Sequence, residues 1–274
     1  MNRETIYKAA ILGILSIVIV FLIAHYMPYG VDWRDVFRPA ARAILRLESP
    51  YSVKGYFNAP WAVLPLIPLA ILPESIGYGL LVLLSMVGFA YTAHRLGAKP
   101  IVVVAVLISP PVLHSLLNGN IDALAVLGFV LPPQIGLFFI LIKPQIGIAV
   151  ALYWLIEAWR QNGLREVIHV FGPLTVVLIG SFLLFGLWPL QFEQEIDLWW
   201  NASLWPASIP VGLVLLVTAI RRRRMEYAMA ASPCLSPYVL LHAWVGALLA
   251  LVSQVPETLT AVLGLWILVL VRAL

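Results

Sequence analysis

The chain has 274 residues, 62% of them hydrophobic and 11% charged, and its mean hydropathy is +0.97. Soluble domains carry roughly 25% charged residues, so this composition excludes an ordinary soluble globular protein and points to an all-α, polytopic integral membrane protein. The net charge of +4 calls for no nucleic-acid partner, because membrane proteins gather Lys and Arg on their cytoplasmic side, and the single cysteine, Cys234, excludes an intrachain disulfide or a cysteine metal cluster.

In chain order, Arg3 and Lys8 place the N-terminus inside. Residues 9–27 read as a first transmembrane helix, since the apolar run is too long for a signal-peptide core and no small-residue cleavage site follows. Residues 28–58 are then an outer loop. It carries Asp32 and Asp35, and four arginines spaced by four: Arg34, Arg38, Arg42 and Arg46. Residues four apart share a helix face, so the arginines form a basic stripe, with Val36, Phe37, Ala40, Ala41, Ile44 and Leu47 mostly on the other side. This predicts an amphipathic helix lying in the membrane interface. Its plain role is an anchor whose arginines meet lipid headgroups. Its sharper role is one wall of a site for a lipid-phosphate substrate.

Residues 59–274 supply the remaining helices of one transmembrane domain, about 9–11 transmembrane or partly spanning helices in all. The stretch 58–73, with Pro60, Pro65, Pro68 and Pro73, reads as a broken segment dipping in from the outer face. Residues 75–93 descend to an inner turn with Arg95 and Lys99. Residues 101–117 return outward to Asn118-Gly119-Asn120-Ile121-Asp122. Two short segments, 123–131 and 135–142, hinge at Pro132-Pro133 and lead to Lys143-Pro144-Gln145. Residues 147–159 run to an inner turn at Arg160–Arg165, and 168–187 rise again. A second polar outer loop holds Glu193, Glu195, Asp197, Trp199, Trp200 and Trp205, where tryptophans suit an interfacial belt, together with the glycosylation sequon Asn201-Ala202-Ser203. Residues 207–220 descend to Arg221–Arg224, and 227–231, 239–252 and 259–270 complete the chain.

In this arrangement 10 of the 17 Lys and Arg lie inside, and five of the rest sit in the first outer loop: Arg34, Arg38, Arg42, Arg46 and Lys54. That loop breaks the positive-inside rule. Either its charges have a task or the orientation is inverted.

An acid beside several cations suits a general base acting on an acceptor hydroxyl while the cations hold a leaving phosphate. Arginine's planar fork matches phosphate oxygens. Three outer clusters qualify: Asp32 and Asp35 with the arginine stripe, Asn118, Asn120 and Asp122, and Lys143 with Gln145. Each has a plainer reading. Asp32 could pair with an arginine of its own helix, Asp122 could cap the helix after it, and Lys143 could snorkel to the headgroups. No phosphate-cradling GxxxxGK[ST] or GxGxxG is present. His25, His94, His114, His169 and His242 lack metal-ligand spacing and read as single packing or interfacial residues.

The order Asp32, Ala40-Ala41-Arg42, Ser49-Pro50-Tyr51, Phe57-Asn58-Ala59-Pro60-Trp61, Gly119-Asn120-Ile121-Asp122 and Lys143-Pro144 resembles the glycosyltransferase C-fold superfamily, most closely its family 87 polyprenyl-phosphate-sugar-dependent transferases. The segment Ser232 to Trp244 looks like that family's late Ser-Pro helix start. The resemblance covers about residues 13–251. It implies a membrane enzyme that moves a hexose, such as mannose, from a polyprenyl-phosphate carrier to a lipid or glycan acceptor on the extracytoplasmic face, with inversion. It gives Asp32 the role of base and puts Arg38, Arg42, Asn120, Asp122 and Lys143 on the donor-phosphate side. The metal requirement varies across such enzymes, and no metal ligands are assigned here. Two departures stand out. The interval from Asp32 to Ala40-Ala41-Arg42 is one residue longer than the resemblance implies, which makes Asp35 a second candidate base. The chain is also short for the family, which leaves a non-catalytic membrane subunit or a lipid or solute carrier as the alternative.

Overall fold

The computed structural model describes residues 3–28, 30–192 and 201–273. Those residues are all-α, with no strand among them. Three helices are long and apolar enough to cross a membrane: Glu74–Arg95, Pro144–Phe185 and Val255–Arg272. A fourth arises if Pro100–Leu107 and Pro110–Asn118, bent by 51°, count as one span. The bend sits where Pro110 and Pro111 remove two backbone donors. Apolar side chains point outward along several helices, with Val176 at 70%, Leu183 at 83% and Val271 at 66% exposure. That is the surface a lipid-facing helix presents, and water-soluble monomers rarely show it over whole helices.

The 42-residue helix Pro144–Phe185 would be about 63 Å long if continuous, twice the bilayer's hydrocarbon thickness. It is not continuous. Asn162 and Gly163 leave helical geometry, Gly163 with φ 56°. The break falls inside the turn expected at Arg160–Arg165, so 144–161 and 164–185 are separate helices.

Packing divides the chain into two compact units. One comprises Met1–Tyr56, Val63–Val87 and Leu116–Asn120; the other comprises Phe57–Ala62, Gly88–Ser115 and Ile121–Leu274.

In the first unit the arginine-bearing stretch is helical over 31–45, as its spacing predicts. Its middle turn, Trp33–Phe37, is a π-turn, closed by the Arg38 N–H on the Trp33 carbonyl. Pro39 gives a physical reason: it cannot donate to the carbonyl one turn back and its ring crowds that oxygen. A π-turn holds one residue more than an α-turn. Trp33, Phe37, Ala40, Ala41 and Ala43 are buried. Leu47 departs from the expected apolar face. It lies past the helix end, 97% exposed, with φ 59°. The Leu47 and Glu48 N–H groups donate to Ile44 and Ala43, closing the helix with a left-handed cap that usually carries glycine.

Trp33 organises this unit. It is fully buried, and its indole N–H donates to the Glu74 carbonyl at 3.2 Å. Tyr78 donates its hydroxyl to the carbonyls of Leu116 and Leu117 at 3.0 and 3.1 Å. The turn after them presses on Trp33: a Cβ on Gly119, whose φ is 68°, would stand 2.6 Å from the Trp33 Cβ. A Cβ on Gly30 would fall on the Asn118 backbone. Two glycines therefore let residues 30–33 and 118–120 touch backbone to backbone.

In the second unit small residues likewise permit close helix packing, as at Gly128 against Gly136 and Gly147 against Ile140. Trp266 of the last helix donates to the Ile108 carbonyl at the 51° bend, at 3.1 Å. The sequon asparagine is in use. Asn201 donates to the Pro237 carbonyl at 3.1 Å and accepts from the Ser203 and Val239 N–H groups at 3.0 Å each. Glu193, Glu195, Asp197, Trp199 and Trp200 lie outside the described residues.

Candidate functional site

The Trp33–Gly119 contact sets one candidate residue beside another. Asp32 precedes Trp33, and Asn120 follows Gly119. The Asn120 amide donates to Asp32 Oδ2 at 2.6 Å across 88 residues of sequence. Asp32 is half-buried and is held by this amide rather than by an arginine of its own helix. Asn120, expected beside a donor phosphate, donates to the loop acid.

Asp35 has a different environment. It is exposed and takes a two-pronged contact from Arg34, at 2.8 Å on each oxygen. Those hydrogen bonds hold its carboxyl below its ordinary value, which makes it a poorer proton acceptor.

The arginine stripe splits into two pairs. The outer members, Arg34 and Arg46, are exposed and bound to local acids, Asp35 and Glu48. The inner members turn onto the proline-broken segment. Arg38 reaches Glu74 at 3.1 Å and the Leu72 carbonyl at 3.2 Å, and Arg42 donates to the Ala70 carbonyl at 3.0 Å. Pro73 and the end of the short helix Ile67–Ala70 leave carbonyls without helical donors, and the two guanidinium groups meet them. Sequence spacing revealed the stripe but not this task.

The second unit contains a buried charged cluster. Asp122 opens the helix Asp122–Leu127 but does not cap it; Ile121 stands at the cap position. Lys143 Nζ is 3.2 Å from Asp122 Oδ1, and His242 Nδ1 is 2.8 Å from Oδ2. The three side chains are 0%, 6% and 1% exposed in the order Asp122, Lys143, His242. Asp122 lies outside the helices long enough to span a membrane. Burial alone would raise its carboxyl, but His242 and Lys143 beside it outweigh that and hold it below the ordinary range, with help from the Ser115 hydroxyl. His114 stacks on His242 with ring centroids 5.4 Å apart and planes 18° apart. Lys143 is thus paired internally instead of snorkelling. His242, read as a packing residue, is part of the charge set. Residues 114, 122, 143 and 242 share no spacing that could have announced it.

The second unit also holds a cavity of about 330 Å³ beside the break at Asn162–Gly163, lined in part by Gln134, Tyr153, Trp154, Glu157, Glu166 and His169. None of the residues proposed from the sequence for catalysis or phosphate binding lines it, though His169 and Pro133 do, and Glu157 is bound by Arg160 at 2.7 Å. Among the described residues no three His, Cys, Asp or Glu side chains are grouped to hold a metal ion.

No family model, no curated protein and no solved structure matches this chain.

Proposed function

We propose that this chain is a polytopic membrane glycosyltransferase that moves a hexose from a polyprenyl-phosphate carrier to a lipid or glycan acceptor. In this reading the N-terminus is cytoplasmic, and the helix 31–45 lies at the outer interface of the membrane. One observation carries the reading. Two residues assigned by resemblance, Asp32 and Asn120, meet at 2.6 Å although far apart in sequence. The amide orients the carboxylate and brings no countercharge beside it, which suits a general base.

The chemistry follows. Asp32 takes the proton of an acceptor hydroxyl as that oxygen attacks the anomeric carbon. The bond from that carbon to the carrier phosphate breaks, and the phosphate leaves with the electron pair. Cations stabilise its charge; Lys143, Arg38 and Arg42 keep that role by resemblance, while Asp122 acts by holding Lys143. Asp35, bound by Arg34, is the weaker candidate for base.

A second reading, a non-catalytic subunit or carrier, draws support from the burial of Lys143 in its pair with Asp122. Transfer of radiolabelled sugar from a panel of polyprenyl-phosphate sugars to membrane extract decides between them. Asp32→Asn should lower transfer about 10²- to 10⁴-fold, the usual weight of a general base. Asp35→Asn should leave it within about twofold of wild type. Transfer undiminished in Asp32→Asn, or absent from wild type with every donor, would overturn the proposal.

A further inference from the structure

We infer that His242 is a positioning residue for Lys143, acting through Asp122. The inference rests on the reading above only in naming what Lys143 meets, a phosphate of the lipid-linked donor; the positioning itself stands on the cluster's geometry.

The two oxygens of Asp122 are divided between two partners. Oδ1 faces Lys143 and Oδ2 faces His242. At zero exposure Asp122 cannot touch a substrate, so the carboxylate can serve one only through a neighbour. Lys143 has three donors, and its ammonium stands 3.2 Å from Asp122 Oδ1. Its side chain is the most exposed of the three, at 6% against 0% and 1%. His242 fixes the other end. Its Nδ1 stands 2.8 Å from Oδ2, and its ring stacks on His114. With a partner beside each oxygen, rotation of the carboxylate would separate one of the pairs, and the ammonium is held with it. Without the imidazole, buried Oδ2 loses the polar neighbour that stands 2.8 Å from it. Rotation or water entry relieves that cost, and either one loosens Lys143.

The imidazole's two nitrogens make this testable by isosteres. Asparagine places its amide nitrogen near the position of Nδ1, whereas glutamine reaches toward that of Nε2. His242→Asn should keep the contact with Asp122, and His242→Gln and His242→Leu should lose it.

The purified full chain in detergent is treated with an amine-reactive N-hydroxysuccinimide ester, and each lysine is followed by mass spectrometry. Lys54 and Lys99, both exposed, serve as internal references. Lys143 should be protected in wild type and in His242→Asn. It should react at least about tenfold faster in His242→Gln and His242→Leu, with Lys54 and Lys99 unchanged. Equal protection in all four proteins overturns the inference, as does an Asn variant that behaves like Leu. If the Leu variant aggregates on size exclusion, the Asn and Gln pair decides alone. A merely structural histidine would not separate those two by which nitrogen is replaced.

Where wild type transfers sugar, the Gln variant should raise the donor KM about tenfold with kcat within twofold, while Asp32→Asn lowers kcat. A kcat loss without a KM change would overturn the positioning role. Where wild type transfers nothing, the enzyme reading fails, and the labelling result still judges His242.

Discussion

Asp32 and Asp122 both stand at the start of a helical stretch, yet they are held in opposite ways. Asp32 is half-buried and gripped by a neutral amide. Asp122 is wholly buried and gripped by a lysine and a histidine. Burial explains the difference. A carboxylate with no access to water needs a countercharge, because an isolated buried charge costs several kcal/mol. A half-buried one needs only a donor to orient it. The amide brings no countercharge to Asp32, whereas the Lys143 ammonium brings one to Asp122. In the proposed function Asp32 is the acid that reacts and Asp122 the one that holds its neighbours.

The contrast can be broken by removing the partners. Lys143→Met should cost about 3–5 kcal/mol, since it strands the Asp122 carboxylate. Unfolding in detergent would measure it. The sign with pH is fixed by the pairing. In wild type the Asp122 carboxyl is held low, so its contribution is present above the ordinary carboxylate range and is lost only as pH falls through that lowered value. In the variant the uncompensated charge is the problem, so the deficit should narrow as pH is lowered and Asp122 takes a proton. A deficit that widens at low pH would contradict this account.

Gly119→Ala should come next, at about 2–4 kcal/mol, combining a left-handed backbone with a Cβ driven into Trp33. Loss of the Asp32–Asn120 contact should accompany it, so transfer should fall as well. Asn120→Ala should cost about 1.5–3 kcal/mol, the range for a hydrogen bond to a charged group. If it destabilised as much as Lys143→Met, the distinction between an oriented acid and a neutralised one would fail. The smallest effect should be a gain. Leu47→Gly relieves a left-handed residue at the helix cap and should raise stability by about 1 kcal/mol, whereas Leu47→Ala should not.

Features set by local pattern were legible in the sequence. The four-residue spacing of Arg34, Arg38, Arg42 and Arg46 located a helix, and the polar turn at Arg160–Arg165 marked a break between two apolar runs. Leu47 was misplaced because periodicity tells which face a residue takes but not where a helix stops. The usual stop signal, glycine or asparagine just past the end, is missing there. Partners chosen by long-range packing were not legible. Nothing near Arg38 or Arg42 points to Glu74 or to the carbonyls of Leu72 and Ala70. Nothing near Asp122 points to His242. Asp32 and Asn120 were both named, but as separate elements of a resemblance, and their contact depends on Gly30, Trp33 and Gly119, which spacing alone does not connect.

The π-turn at Trp33–Phe37 has a consequence for how this helix can change. One added residue rotates everything after it by about 100° relative to everything before it. The turn therefore acts as a phase shifter between two tasks on one rod. Its leading end aims Asp32 at the Asn120 amide, and its trailing end aims Arg38 and Arg42 at the carbonyls of Leu72 and Ala70. A uniform α-helix of the same sequence could satisfy one set of partners but not both. Deleting a single residue between 33 and 37 would let an α-turn close with both alignments kept, whereas inserting one there would force that choice.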